Sequence, residues 1–277
     1  MSQVRDVVCA VIELVEERQR GALATVVRAS GSTPQAAGAR LLLRGDGTTL
    51  GTVGGGAIER VVLEALAKSL ASERSELLTR DLADDLGMRG AGRMEIFVEP
   101  LLPAPRLWLL GAGHVAKPTA ALARTVGFDV QVVDEREELN TAERFPGCRL
   151  WSDDPSDLLS RSRLDDRDWV VIVTHDHQLD EQALASASVT GARYVGLVGS
   201  RRKVLRLVER IAVKRQVDLP IDRLFAPIGL DIGAVTPEEI AVSIVAELVA
   251  LRHGKTANHL RLLSDPALSA ALRRELG

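Results

Sequence analysis

A glycine turn between an apolar segment and a predicted helix carries the clearest chemical signal in this sequence. The run 107–110 predicts a buried strand, and Gly111 and Gly113 predict a tight turn. Asp134 follows the next predicted strand. This order is typical of a dinucleotide-binding βαβ unit, in which backbone N–H groups at a helix N-terminus hold a pyrophosphate. Ala116, where a third glycine usually stands, is small enough for the helix to pack on the strand.

Two interpretations of this turn are open on the sequence alone. Either the turn holds a phosphate-bearing ligand and Asp134 binds a ribose hydroxyl, or the glycines only form the turn and Asp134 fixes the loop after it. His114 lies inside the turn, where it either contacts the ligand or is simply exposed. An NAD(P)-dependent oxidoreductase would follow from the first interpretation, although no proton donor accompanies the turn.

A second glycine loop, Gly54-Gly55-Gly56, precedes a predicted amphipathic helix. Three consecutive glycines cost backbone entropy, so they indicate a close approach of the backbone, either to an anionic or planar ligand or to another strand. Glu59 falls in the first helical turn, where the helix dipole favours a carboxylate. The segment that ends at Arg40 could form the opposite wall, and this side chain would supply charge for a phosphate.

Two further loops follow predicted strands and carry polar side chains. His175, His177 and Asp180 contain metal-binding atoms, but their spacing matches no specific zinc pattern and further ligands are not evident, so we expect no metal. In an open α/β sheet ligands bind beyond the carboxyl ends of strands, so His175 is expected to line a pocket. Ser200 is predicted to cap a helix whose first residues are three cations, which either bind an anion or are solvated.

These loops supply the candidate site residues, although the sequence does not place the two glycine loops relative to one another. No Ser-His-Asp or Cys-His arrangement and no pair of acid–base carboxylates can be assembled, so no catalytic residue is assigned. The cofactor-binding candidates are Arg40, Gly54, Gly55, Gly56, Glu59, Gly111, Gly113, His114, Asp134, His175 and Ser200.

Composition limits the classes of protein to which the chain can belong. The net charge is −3 and aromatic residues make up 3%, which argues against nucleic-acid binding. No segment reaches the roughly 20 apolar residues of a membrane span, and the N-terminal segment lacks the pattern of a signal peptide. Cys9 and Cys148 indicate neither a disulfide framework nor a zinc site, so we expect a reduced, cytoplasmic setting.

The sequence patterns predict two α/β domains joined by a proline-rich linker. Pro100, Pro103 and Pro105 fall close together and favour an extended connection. The patterns before the linker predict a small α+β domain. After it, strands alternate with helices, which predicts a Rossmann-like, doubly wound parallel sheet. The predicted ranges are 1–99 for the N-terminal domain, 100–106 for the linker, 107–254 for the Rossmann-like domain and 255–277 for a C-terminal helical tail.

Several sequence blocks, taken in order, make the chain similar to the xanthine dehydrogenase accessory protein family (XdhC/CoxI). The similarity covers about residues 6–254. The blocks are Gly31-Ser32-Thr33-Pro34 with Gly38-Ala39-Arg40; Gly51 to Glu59; Gly111 to Ala116; Thr174 to His177; Gly196 to Ser200; and Gly229 to Gly233 followed by Thr236-Pro237-Glu238.

The resemblance implies a maturation factor rather than a metabolic enzyme. Members of this family bind the molybdenum cofactor and hold it while a cysteine desulfurase supplies a sulfur ligand. They then deliver it to the large subunit of a molybdenum hydroxylase such as xanthine dehydrogenase, and they are usually homodimers. The planar, phosphate-bearing molybdopterin suits the two glycine loops, and a nucleotide in the Rossmann-like domain is a further expectation. The alternatives are an NAD(P)-dependent oxidoreductase and a ligand-free maturation scaffold.

One position departs from the family pattern. Many relatives carry a Cys-Gly-Gly element before the last strand of the N-terminal domain, and Gly90 stands at the cysteine position here. A thiolate is the soft ligand that could bind molybdenum or assist sulfur transfer, so thiol chemistry in this chain is in doubt. Cys9 falls on the predicted apolar face of the first helix, and we expect it in the core.

Overall fold

The computed structural model describes residues 2–87, 92–211, 219–259 and 273–274. The chain forms two compact units, Met1–Ala104 and Pro105–Gly277. Gly90 and most of the predicted tail over 255–277 lie outside the described residues.

The N-terminal unit is an antiparallel sheet with helices on both faces. Its elements are α1 (Ser2–Glu16), β1 (Gly21–Ser30), β2 (Arg40–Arg44), β3 (Thr49–Gly51), α2 (Gly56–Ser72), β4 (Glu76–Asp81), α3 (Leu82–Leu86) and β5 (Arg93–Leu101). The strands pair in the order β3-β2-β1-β5-β4. Successive residues of β2 face opposite sides, since Leu41 joins the core beneath α2 and Leu42 joins the core beneath α1. The predicted α+β class of this part is confirmed.

The structure shortens the linker predicted over 100–106. Strand β5 continues through Pro100 and Leu101, and Arg106 begins the next strand. Because β4 pairs with β5 only as far as Val98, Pro100 has a neighbouring strand on one side only, which is where a strand tolerates proline. The sequence patterns also miss β4 and α3.

The expectation that Cys9 lies in the core is wrong. Helix α1 buries Val7, Ala10 and Leu14 against Leu42, whereas Cys9 is exposed. Because successive helical residues project about 100° apart, Cys9 points away from Val7, two residues earlier.

The C-terminal unit is built on a parallel sheet. Its elements are β6 (Arg106–Leu110), α4 (Ala116–Thr125), β7 (Asp129–Val133), β8 (Arg149–Trp151), α5 (Pro155–Arg161), β9 (Asp168–Ile172), α6 (His177–Ser188), β10 (Tyr194–Leu197), α7 (Arg201–Arg210), β11 (Leu224–Phe225) and α8 (Pro237–Arg252). The strand order is β11-β10-β9-β6-β7-β8, and each neighbouring pair is parallel. Residues 107–110 read as an apolar run because this central strand is buried on both faces.

Helices cover both faces of this sheet. Leu107 and Leu109 of β6 belong to a core cluster with α4 and α8, whereas Trp108 and Leu110 belong to a cluster with α5, α6 and α7. The prediction of a doubly wound, Rossmann-like domain is therefore confirmed. The chain runs outward from β6 to β8 and then returns to β9, so the strand order reverses between β6 and β9. Ligands of such sheets bind at this reversal, beyond the carboxyl ends of the strands.

Candidate functional site

The glycine turn after β6 lies at the reversal of the strand order. Gly111 has a φ of +118°, and a Cβ atom there would lie 2.5 Å from the carbonyl oxygen of Val173, which follows β9. The chain therefore needs glycine at this position for two reasons, its backbone conformation and the close approach of the two strand ends. At Gly113, by contrast, a Cβ atom would meet no atom of the described residues within 4 Å.

Two charged side chains fix the two peptide groups that flank Ala112, which lies between these glycines. The Ala112 N–H donates to Asp134 Oδ2 at 2.7 Å, and Arg144 Nη2 donates to the Ala112 carbonyl at 3.0 Å. The turn is thus held by side chains of residues that follow β7 in the sequence.

Asp134 is only 4% exposed, and both of its oxygens are engaged. Its other donors are the backbone N–H, Nε and Nη2 of Arg136. Burial alone would raise the pKa of Asp134, but the hydrogen bonds from Arg136 and Ala112 outweigh it and lower this pKa below its ordinary value. Of the two interpretations of Asp134, its hydrogen bonds match the one in which it fixes the loop, and ribose binding stays a prediction.

The start of α4 offers unpaired backbone donors. Val115, which precedes the helix, makes no side-chain cap. Within the described part of the chain, the N–H groups of residues 113–116 donate to no protein acceptor. Donors of this kind at a helix N-terminus are suited to an anion such as a phosphate. His114 is exposed beside them.

The loop after β9 holds one carboxylate in an internal network. Asp180 is 2% exposed, accepts a hydrogen bond from the Thr174 hydroxyl at 2.7 Å, and forms an ion pair with Lys203 Nζ at 2.6 Å. It is therefore engaged within the protein. His175 and His177 are exposed, and the described residues contain no group of three His, Cys, Asp or Glu residues that could hold a metal ion.

Ser200 caps α7 as predicted, since its hydroxyl accepts the backbone N–H of Lys203 at 3.3 Å. The Lys203 side chain folds back to Asp180, so one of the three cations at this helix start is neutralised inside the protein. Arg201 and Arg202 are exposed. A role of Ser200 in binding a cofactor stays a prediction.

The glycine loop before α2 combines a packed glycine with two unconstrained ones. Gly54 has a φ of +136°, and a Cβ atom there would lie 2.6 Å from Pro34 Cγ. Pro34 therefore packs on the loop from the segment that was expected to form its opposite wall. Gly55 and Gly56 have φ values of +70° and +60°, and the described residues leave space at both Cβ positions.

Glu59 is engaged by hydrogen bonds within the N-terminal glycine loop, whereas Arg40 lies near this loop without a polar partner among the described residues. Glu59 Oε2 accepts the Gly55 N–H at 3.1 Å and the hydroxyl of Thr52, so this carboxylate ties the loop to the first turn of α2. Leu41 of β2 pairs with Gly51, the last residue of β3. Arg40, the first residue of β2, therefore lies beside the start of the glycine loop. The half-buried Arg40 side chain has no hydrogen-bond or ion-pair partner among the described residues.

Sequence reasoning missed three side chains that organise these loops. They are Arg136, Arg144 and Lys203. Arg136 stands in a charged run, Glu135 to Glu138, that reads as solvated surface, and nothing local marks Arg144. For Lys203 the sequence predicts only that it is one of three cations that either bind an anion or are solvated, and it does not indicate the ion pair with Asp180. The structure reveals the roles of Arg144 and Lys203 because they contact residues far away in the sequence, whereas Arg136 contacts Asp134 within the same loop. Separately, none of the described helices is both long and apolar enough to cross a membrane.

Two family models match the chain. One, described as the XdhC Rossmann domain, matches residues 107–248, and the other, described as the XdhC and CoxI family, matches residues 14–81. A protein named YqeB from Escherichia coli, described as uncharacterized, is 34% identical over 92% of this chain and 48% of its own length. A relative from Bacillus subtilis, described as a probable subunit of xanthine dehydrogenase, is 36% identical over 57% of this chain and 46% of its own length.

A solved structure resembles nearly the whole chain. It is described as a xanthine dehydrogenase from Bacillus halodurans and matches with a TM-score of 0.52 and 25% identity, over 92% of this chain and 98% of that one. The chain spans about half the length of the curated relatives it matches.

Proposed function

Because the chain belongs to the XdhC and CoxI family, we propose that it is a maturation factor for a molybdenum hydroxylase and holds the molybdenum cofactor as cargo. The relatives named after xanthine dehydrogenase support this class of client. In this proposal a cysteine desulfurase supplies the sulfur ligand, and the large subunit of the hydroxylase receives the finished cofactor.

Gly113 carries the ligand-binding part of the proposal. Its φ is not in the left-handed region, and no described atom would contact a side chain at this position. The fold therefore does not require glycine there. An approach by a molecule outside the chain would explain the glycine, because a Cβ atom at this position would take up open space close to the N–H groups of residues 113–116.

These residues fit the phosphate end of a molybdopterin. The open space at Gly113 and the free donors at the start of α4 suit a phosphate, and Arg144 and Asp134 hold the turn ready for it. The same residues do not fit the metal end, because no soft ligand lies in either described glycine loop. Burial raises the pKa of the Cys148 thiol, which disfavours its thiolate.

The described residues therefore bind and orient the cargo in this proposal, and the sulfur chemistry belongs to the desulfurase. The cofactor supplies the redox-active metal to the client enzyme. Backbone donors of residues 113–116 hold its phosphate, while the dipole of α4 favours the negative charge. In the N-terminal unit, the loop at Gly55 and Gly56 is a separate candidate for binding an anionic group, with Arg40 as its cation.

Binding of purified molybdenum cofactor to the purified protein tests this proposal. We expect Gly113→Val to weaken binding by about tenfold or more, equivalent to about 1.4 kcal/mol, since the added side chain covers the donors. Ala121→Val, at an exposed position of α4, is the matched control and should bind like the parent. Normal binding by a folded Gly113→Val would remove this turn from the site. A parent protein that binds no cofactor would indicate a ligand-free scaffold.

The strand order favours a nucleotide as a second candidate ligand of the C-terminal unit. The reversal between β6 and β9 is the position at which dinucleotides bind in such sheets. Titration with NAD(P) and with nucleotides of other bases would test it. Asp134→Ala should weaken a ribose contact; equal affinity for the parent and this variant would show that Asp134 serves only the loop.

A homodimer is part of the proposal, and α1 offers a surface for it. Val4, Val8 and Ile12 lie one above the other on this helix and are each at least 40% exposed. An antiparallel pair of α1 helices would cover this stripe, with Val8 near the two-fold axis and Val4 of each copy opposite Ile12 of the other. Light scattering on Ile12→Asp should give the monomer mass, and Val189→Asp, at an exposed position elsewhere, should not.

A further inference from the structure

The loop from Gly229 to Val235, between β11 and α8, exposes apolar side chains. Ile232 is 52% exposed and Val235 is 81% exposed. Asp231, next to Ile232 in the sequence, is exposed as well, and its carboxylate has no hydrogen-bond or ion-pair partner among the described residues. Two apolar groups and an unpaired carboxylate thus stand on one loop, and none of them contributes to the core of the unit.

The backbone of this loop is held along its length by one side of α8. Three side chains of the helix, spaced by four residues, contact it, and such residues lie one above the other on a helix. The loop therefore has a fixed path while its apolar side chains remain in solvent. The contacts are the Gly229 N–H to Glu247 Oε1 at 3.1 Å, the Ser243 hydroxyl to the Leu230 carbonyl at 2.6 Å, and the Val235 N–H to Glu239 Oε2 at 2.8 Å.

The loop lies beyond the carboxyl ends of the strands, at the same end of the sheet as the turn after β6. The Ile228 N–H, directly before the loop, donates to the carbonyl of Leu197, the last residue of β10. In the strand order, β10 and β9 separate β11 from β6, so three strand spacings, about 14 Å, lie between them. The loop and the turn thus stand at the two ends of one row of strand ends.

The loop also reaches the height of the free backbone donors at the start of α4. Helices α4 and α8 pack together, and Arg252 Nη1 at the end of α8 donates to the Val126 carbonyl after the end of α4 at 2.9 Å. Ten residues back along each helix, about 15 Å, Ala116 is level with Val242. The loop joins α8 at Thr236, about 9 Å further on. Its end therefore stands above the level at which α4 begins.

A ligand that contacts both places must be elongated and must differ at its two ends. The donors of residues 113–116 suit an anionic group. Branched apolar side chains such as Ile232 and Val235 suit the face of a flat ring, and a carboxylate such as Asp231 accepts hydrogen bonds from adjacent N–H groups. A pterin ring is flat and carries an amino group and a ring N–H on one edge, and in molybdopterin it is joined to a phosphate arm.

We propose that the loop 229–235 binds the pterin ring of the cargo, with Ile232 and Val235 against the ring and Asp231 accepting the N–H groups of its aminopyrimidine edge. The inference rests on the proposed function, in which residues 113–116 hold the phosphate of the same molecule. Because a carboxylate repels a phosphate, Asp231 also makes the two ends of the site unequal, and the molecule binds in one orientation.

Asp231→Asn in the full chain tests this inference with two probes, purified molybdenum cofactor and inorganic phosphate. The cofactor should bind about tenfold or more weakly, because the amide has one acceptor atom and turns its own N–H groups toward those of the ring. Inorganic phosphate should bind as to the parent or more tightly, since a negative charge has been removed. A general disturbance of the unit would weaken both.

Ile232→Ser tests the apolar contact, and the chain offers matched controls for both variants. Ile232→Ser should weaken cofactor binding by about threefold or more through lost apolar burial. Ile221 and Asp222 are also exposed neighbours, but they precede β11 and lie at the opposite end of the sheet. Ile221→Ser and Asp222→Asn should therefore bind the cofactor like the parent.

The outcomes separate this inference from the function on which it rests. A parent protein that binds no cofactor would overturn both. Cofactor binding by the parent that is equal in Asp231→Asn and Ile232→Ser would overturn the inference alone. Equal binding combined with slower transfer to the hydroxylase would also overturn it, and would make the loop a contact for the client protein. Pterin without a phosphate arm should compete with the cofactor for the parent, and a lack of competition would assign the loop to another part of the molecule.

Discussion

Gly111 and Gly54 each introduce a glycine loop, and at each the space for a Cβ atom is already occupied by the chain. The occupying atoms are the carbonyl oxygen of Val173 at 2.5 Å and Pro34 Cγ at 2.6 Å. The loops differ in the glycines that follow. Gly55 has room for a side chain but a φ of +70°, whereas Gly113 has room and no left-handed backbone.

The three glycines therefore differ in what requires the absence of a side chain. Packing and conformation together require it at Gly111, conformation requires it at Gly55, and neither requires it at Gly113. The two loops are also held differently. In the N-terminal loop, Glu59 accepts a hydrogen bond from the Gly55 N–H, four residues earlier. In the turn after β6, Ala112 is hydrogen-bonded to Asp134 and Arg144, which follow β7 in the sequence. Only the C-terminal turn thus combines a fixed backbone with a glycine that the fold itself does not need.

Gly111→Ala should have the largest effect on stability. The added atom would meet the Val173 carbonyl in a left-handed backbone, so β6 and β9 would have to move apart. We expect a loss of about 4 kcal/mol or more, measured as the shift in the free energy of unfolding in urea. A loss below about 1 kcal/mol would mean that the two strand ends are not held this closely.

Asp134→Asn should have the next largest effect and should make stability less dependent on pH. The variant leaves Arg136 and the Ala112 N–H poorly paired, and we expect a loss of about 2–3 kcal/mol at pH 7. The pKa of Asp134 lies below its ordinary 3.8 in the folded protein. Its contribution is therefore fully present above that value and is lost as the pH falls through the folded pKa.

Urea unfolding of the parent and of Asp134→Asn between pH 7 and pH 2 would measure this difference. The two stabilities should converge as the pH falls. A constant gap over this range would show that the charge of Asp134 does not stabilise the turn.

Local signals account for what the sequence could predict. The glycine turn at Gly111 and the cap of α7 at Ser200, which the structure confirms, involve residues that are close in sequence. The alternation of apolar strands and helices predicts the doubly wound sheet in the same way. Two strands were not predicted from the sequence. Strand β11 has only two residues, and β4 is an edge strand with several polar residues, so neither gives a clear apolar pattern.

Contacts between distant residues account for the rest. The pairing of Lys203 with Asp180 and of Arg144 with the Ala112 carbonyl depends on how loops meet at the end of the sheet. The spacing of apolar residues along the sequence does not predict contacts of this kind. For the same reason the sequence left two roles open for Asp134, whose hydrogen bond from the Ala112 N–H joins residues that are 22 positions apart.

Gly55→Ala should have a smaller effect than either change at the C-terminal turn. Its backbone, with φ +70° and ψ 174°, is one that residues other than glycine rarely adopt, although space is available. We expect a loss of about 1–2 kcal/mol from backbone strain. Thermal unfolding of the parent and the variant would measure it. No loss would indicate that the loop adopts another conformation without penalty.

Gly113→Ala should have the smallest effect on stability, and of opposite sign. Since the position has free space and a backbone open to alanine, the variant should gain about 0.4–1 kcal/mol by restricting the unfolded chain. Cofactor binding should nevertheless weaken, because the methyl group points to where the ligand approaches. Unfolding and binding measured on the same preparations would separate the two effects. A destabilised variant would contradict the free space at Gly113, and a stabilised one with unchanged binding would leave this glycine without a function in the proposed site.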